Sequence, residues 1–66
     1  MKQKIQLPVE DLEEFKQVCN NHNINYDMQE LQKTIYVGTI KGKQHNLLSF
    51  AKEAGSRTLN IYFFKK

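Results

Sequence analysis

Residues 34–43 read TIYVGTIKGK, and the placement of this run decides the fold. Its first part is dominated by β-branched and aromatic residues, the types that suit a pleated, half-buried strand. Lys41-Gly42-Lys43 then breaks the run and hands the chain to a segment with a different period. There Leu47, Phe50, Ala51 and Ala54 fall at i, i+3, i+4 and i+7, the spacing of one helix face. A strand therefore delivers two lysines to a helix start, where free backbone N–H groups favour anions.

Working back from this run, residues 30–33 are polar apart from Leu31 and turn the chain. No Asn-Gly or Asp-Gly sits there to set the hairpin register. Residues 24–28 alternate, with Ile24, Tyr26 and Met28 on one face, and form a second strand. Upstream, Val9, Leu12, Phe15, Val18 and Cys19 make an apolar stripe at helical spacing, with His22 at its end. Glu10, Asp11, Glu13 and Glu14 crowd the first turns of this helix, where its dipole favours negative charge. Asn20-Asn21-His22-Asn23 stops it with residues that tolerate turn conformations. Pro8 separates the helix from a strand over residues 2–7, in which Ile5 and Leu7 alternate with Lys4 and Gln6. Beyond the second helix, Gly55 suits the position just past its end. Residues 58–64 form a last strand, Leu59, Ile61 and Phe63 alternating with Asn60, Tyr62 and Phe64.

The order is β-α-β-β-α-β. It predicts an α+β protein with one domain over residues 1–66, a ferredoxin-like plait. Right-handed crossovers place two helices on one face of a four-stranded antiparallel sheet of order 4-1-3-2, with the strand of residues 34–40 central. At 66 residues the chain is near the lower size limit for a core that folds alone, and 39% hydrophobic residues suit a small globular domain. Cys19 is the sole cysteine, so no disulfide staples the chain, and a reducing compartment is the natural setting. The opening residues carry lysines without an apolar run, and no segment is long enough to cross a bilayer. A cytoplasmic protein with no membrane partner is expected.

The plait sorts a net charge of +3 into two ends. One edge collects Lys2, Lys4, Lys41, Lys43, Lys65 and Lys66, with His22 and His45 nearby, and the opposite edge holds the acidic cluster of the first helix with Arg57 and Lys33. Such an edge attracts nucleic acid or an acidic protein surface. Lys4, Lys41, Lys43, Lys65 and Lys66 are the expected anion-binding groups. Beside them, the sheet face left uncovered by the helices is expected to carry Tyr36, Ile40, Tyr62 and Phe64, for base stacking or as an interface. In architecture this resembles the sheets of RNA-recognition modules, which stack unpaired bases on aromatic rings. The residues KTIYVGTI lack the Lys/Arg-Gly-aromatic pattern of that module's central strand. The same aromatic face also suits a homodimer or another protein partner.

Chemistry is sparse by comparison. Cys19, His22 and His45 offer metal-ligand types without a fourth ligand, and Cys19 lies on the apolar stripe, so no metal and no cofactor is expected. No acid, base and nucleophile converge, which argues against an enzyme. The first loop, Leu7-Pro8-Val9-Glu10, carries neither the Cys-x-x-Cys of plait metallochaperones, nor the arginine of acylphosphatase-like enzymes, nor the glycine of amino-acid-binding regulatory domains. The sequence therefore predicts a non-enzymatic binding protein for nucleic acid or another anionic surface. The alternative is a protein-interaction or inhibitor module that docks by its sheet face or an edge strand.

Overall fold

Alternation of apolar and polar residues builds β1 (Lys2–Pro8), whose Ile5 and Leu7 are buried while Lys4 is exposed. The computed structural model describes residues 1–65. β1 is followed by a short 3-10 turn (Val9–Asp11) and then by α1 (Leu12–Asn21). A hairpin of β2 (Asn25–Gln32) and β3 (Ile35–Lys41) comes next, then α2 (Gln44–Ser56) and a short β4 (Tyr62–Phe63). All strand neighbours are antiparallel and lie in the order β2-β3-β1-β4. The protein is thus α+β, with a four-stranded antiparallel sheet and two helices.

Both helices bury their apolar stripes against the same sheet face. Ile5, Leu7 and Ile40 from the sheet join Phe15, Val18 and Cys19 of α1 and Phe50 of α2 in one core. Phe15 is its hub: its ring meets Phe50 at 5.9 Å and Tyr26 at 5.5 Å between centroids, both edge-to-face. Each such buried side chain contributes about 1.5–3 kcal/mol of transfer free energy, so few residues carry this small fold.

The two helices end alike. Ile24 N–H donates to the Cys19 carbonyl across Asn23, which has φ 55°, and Leu59 N–H donates to the Ala54 carbonyl across Thr58, which has φ 57°. This is the left-handed cap in which an apolar residue just beyond the turn folds back on the helix. Ile24 is buried and Leu59 is packed against the core. Gly55, expected just past the end of α2, is instead inside it; the left-handed position is three residues on and is filled by a threonine. Val9, expected in the α1 stripe, belongs to the 3-10 turn and is exposed.

Register decides which face each β3 residue takes, and it corrects the expectation for Tyr36 and Ile40. Tyr36 is opposite Leu7 and Ile40 is opposite Gln3 and Tyr26, so both point to the helix side. Ile40 is 1% exposed and belongs to the core. Ile35, Val37, Thr39 and Lys41 face outward instead. The sequence of β3 is apolar at both parities, so periodicity alone could not choose. Gly38 makes the choice workable: a side chain there would collide with the Asp27 carbonyl and stand 2.8 Å from Met28 Sδ. The Met28 side chain occupies that space on the core side.

β4 is shorter than the expected residues 58–64. Residues at its start are committed elsewhere: Thr58 caps α2, and Asn60 N–H donates to the Asp11 carboxylate at 2.9 Å. Pairing with β1 covers Ile5↔Phe63 and Gln6↔Tyr62, and Phe64 N–H adds one further bond to the Lys4 carbonyl. Among the described residues, no helix is long and apolar enough to cross a membrane.

Candidate nucleic-acid interface

The uncovered sheet face is laid out in cross-strand rows. Directly opposed residues in an antiparallel pair share a face, so the partners of Lys2, Lys4 and Gln6 define it. One row is Lys2–Lys41–Asn25, the next Lys4–Thr39–Asp27, and the next Tyr62–Gln6–Val37–Gln29. Lysines thus concentrate at one end of the face, while the row Tyr62–Gln6–Val37–Gln29 is uncharged. Lys2 and Lys41 are opposed directly, and like charges in that position are destabilising.

Beside these rows the chain leaving β4 supplies the aromatic part. Tyr62 and Phe64 rings stand edge-to-face with centroids 5.0 Å apart, and Lys4 Nζ lies 5.0 Å from the centre of the Phe64 ring. Gln3 fixes this segment by donating its side-chain amide to the Phe64 carbonyl at 2.7 Å. Tyr62 is 59% exposed. Phe64 is half-buried.

Three shallow depressions run into one another along this end of the sheet. The first, about 410 Å³, is lined by Lys2, Lys4, Phe64 and Lys65, among others. The second is lined by Lys2, Asp27, Thr39 and Lys41, and the third by Lys41, Gly42, Lys43 and Asn46. Shared lining residues make a continuous basic track from Lys65 through Lys4, Lys2 and Lys41 to Lys43 at the start of α2. No acidic residue lies in the first turn of α2 to neutralise its dipole. Among the described residues, the ion pairs join Lys16 to Glu13, His22 to Glu53, and Arg57 to Glu14 and Glu53, so the lysines of the track take no part in them. Lys66, expected on the same edge, lies outside the described residues.

The structure therefore gathers Lys4, Lys41, Lys43, Lys65, Tyr62 and Phe64 of the expected site, and removes Tyr36 and Ile40 to the other side of the sheet. Lys2 and Gln3 join the site through register and through the Phe64 carbonyl. Lys2 follows from alternation in β1, whereas Gln3 stands on the helix side opposite Ile40 and joins only through its side-chain bond to the Phe64 carbonyl.

His22 has a different environment from the one expected beside the lysines. Its Nε2 meets Glu53 Oε1 at 2.7 Å, while Arg57 Nε donates to Glu53 Oε2 at 2.8 Å and an Arg57 terminal nitrogen reaches Glu14 Oε2 at 3.4 Å. This clasp ties the end of α1 to the last turns of α2. The hydrogen bond from His22, reinforced by Arg57 and opposed by partial desolvation, holds the Glu53 carboxyl below its ordinary value. Glu53 and Arg57 form an i, i+4 pair on α2 that spacing alone suggests, but their links to His22 and Glu14 on α1 are long-range and share no motif. Burial pushes the Cys19 thiol up to about 12, which leaves it uncharged and unreactive near neutrality. Among the described residues, no group of three or more His, Cys, Asp or Glu side chains converges on a point where a metal ion would sit.

No protein-family model matches the chain, and no curated protein matches it in sequence.

Proposed function

We propose that the protein is a ferredoxin-like plait that binds nucleic acid, without enzymatic activity, through the basic end of its open sheet face. The fold assignment is supported by the strand order β2-β3-β1-β4, which reads 4-1-3-2 from the β4 edge, with antiparallel neighbours throughout. The observation that carries the binding reading is the continuous lysine track beside the aromatic pair of Tyr62, which is exposed, and Phe64, which is half-buried. Lys2 and Lys41 repel each other across β1 and β3, and a phosphate placed between them would convert that cost into attraction. Tyr62 and Phe64 add aromatic surface next to the same charges. This combination suits a polyanion with apolar, stackable parts better than a purely acidic surface. A cytoplasmic location accords with a free, buried Cys19.

The test is a salt titration of oligonucleotide binding followed by fluorescence anisotropy. Affinity should fall steeply with salt, and Lys41→Gln should lower the log–log slope by about 0.7–0.9, one phosphate contact. Absence of binding to both single-stranded and duplex oligonucleotides at low salt would exclude the proposal.

A second reading has its own observation. β2 is an edge strand of eight residues with its outer side unpaired in this chain, and Tyr26 and Leu31 on it are exposed. Such an edge can extend the sheet of a partner or of a second copy. Asp27, Glu30 and the irregular pairing around Leu31 work against it, since charges and bulges are devices that blunt edges. The nucleic-acid reading is accordingly preferred.

A further inference from the structure

We infer that the nucleic acid taken by this face is a single strand, held with one unpaired base stacked on Tyr62 and its backbone on Lys4, Lys2 and Lys41. This inference rests on the binding function proposed above and narrows it. Its first ground is the inequality of the two aromatic rings. Phe64 already has Lys4 Nζ over its ring at 5.0 Å and is half-buried. It serves as a mount that fixes the ammonium. Tyr62 is 59% exposed and extends from the same face, so it is the ring with surface to offer a base. A paired base inside a duplex has no free face to give it.

The second ground is the shape and spacing of the charges. Both helices lie on the covered side of the sheet, so the uncovered side presents a surface of strands with no helix to enter a groove. Lys2 and Lys4 are two residues apart on one strand, about 6.6 Å, and Lys41 stands directly opposite Lys2. Such a compact group serves neighbouring phosphates of one strand rather than the two flanks of a major groove about 12 Å wide. Asp27 stands at the far end of the row Lys4–Thr39–Asp27 and repels phosphate there, so the strand keeps to Lys4, Lys2 and Lys41 instead of crossing β2 at that row. Phe64 and Gln3 are positioning residues in this arrangement: they hold Lys4 and the β4 exit, and do not touch the base.

The experiment compares a short homothymidine oligonucleotide, an abasic strand of the same length, and a duplex of that length, at one low salt concentration. The wild-type protein should bind the thymidine strand about 5- to 150-fold more tightly than the abasic one, the value of one stacked base. Tyr62→Leu should erase that preference and leave abasic-strand binding unchanged. Phe64→Leu should weaken the thymidine and abasic strands alike and preserve the preference, because it acts through Lys4. Tyr62 is exposed, so its replacement leaves the core intact, and circular dichroism verifies this. Equal affinity for duplex and single strand, or a base preference that survives Tyr62→Leu, would overturn the inference while leaving nucleic-acid binding standing. No binding to any of the probes would overturn both. A dimer in sedimentation that Tyr62→Leu dissociates, and that excludes oligonucleotide, would assign the face to a second copy.

Discussion

Replacing Ile40 by smaller residues tests the register on which the candidate face depends. Ile40 is 1% exposed and packed among the core residues. Ile40→Val removes one buried methylene and should cost about 1 kcal/mol. Ile40→Ala removes three carbons, about 2.4 kcal/mol by transfer alone and 2–5 kcal/mol once the cavity is included. A core of this size supplies roughly 3–5 kcal/mol in all, so Ile40→Ala should leave little or no folded protein. The conservative change is therefore the informative one. With a urea dependence of about 1 kcal/mol per molar for so small a domain, Ile40→Val should lower the unfolding midpoint by about 1 M. Circular dichroism at increasing urea reads it directly. The control is Thr39→Val, one residue away on the exposed side and equally β-branched, which should shift stability by no more than about 0.5 kcal/mol. If Ile40→Val is silent and Thr39→Val is the damaging change, β3 faces the other way. The outer face would then carry Tyr36 and Ile40, and the rows of lysines described above would be wrong.

Three other substitutions bear on how the fold is held. Gly55→Ala should raise stability by about 0.5–1 kcal/mol in the same urea assay, because Gly55 is helical and an added Cβ meets nothing within 4 Å; Thr58→Gly should add about 1 kcal/mol by relieving a left-handed threonine. A loss of stability in either variant would contradict the cap geometry. The Glu53 carboxyl is held below its ordinary value when folded, so the stability it contributes is complete above the unfolded carboxyl range near pH ~4.3 and fades as pH falls through the folded value. Glu53→Gln should therefore flatten the acid limb of a stability-against-pH curve relative to wild type, and an unchanged limb would mean that the clasp with His22 and Arg57 does not persist in solution.

The opening run shows where sequence reading works and where it stops. The expected strand over residues 34–40 is present as Ile35–Lys41, and the helix expected after the Lys-Gly-Lys turn begins at Gln44, since β-branched density and the 3.6-residue period are local properties. The α1 stripe through Phe15, Val18 and Cys19 was equally legible, and all three are buried. Helix ends were less so. The left-handed position of α2 is set by where Leu59 can reach the core, and this moved the stop from Gly55 to Thr58. The fate of the last strand depended on Asp11, a residue far away in sequence that holds Asn60 out of the sheet.

The lysines of the candidate face and its aromatic pair were visible in the sequence as residue types near strand ends. Alternation in β1 placed Lys4 opposite in facing to Ile5 and Leu7, because Ile5 and Leu7 leave no doubt about which side is apolar. β3 has apolar residues at both parities, so its facing depended on cross-strand partners and on the room Gly38 leaves for Met28. That non-local contact sent Tyr36 and Ile40 to the helices and brought Lys41 alongside Lys2. The sequence by itself determined the elements and their order, because propensity and periodicity are carried by neighbouring residues. Only the tertiary structure decided which residues share a surface. A side chain's facing in a two-sided apolar strand is chosen by what packs against it, and that partner is never local.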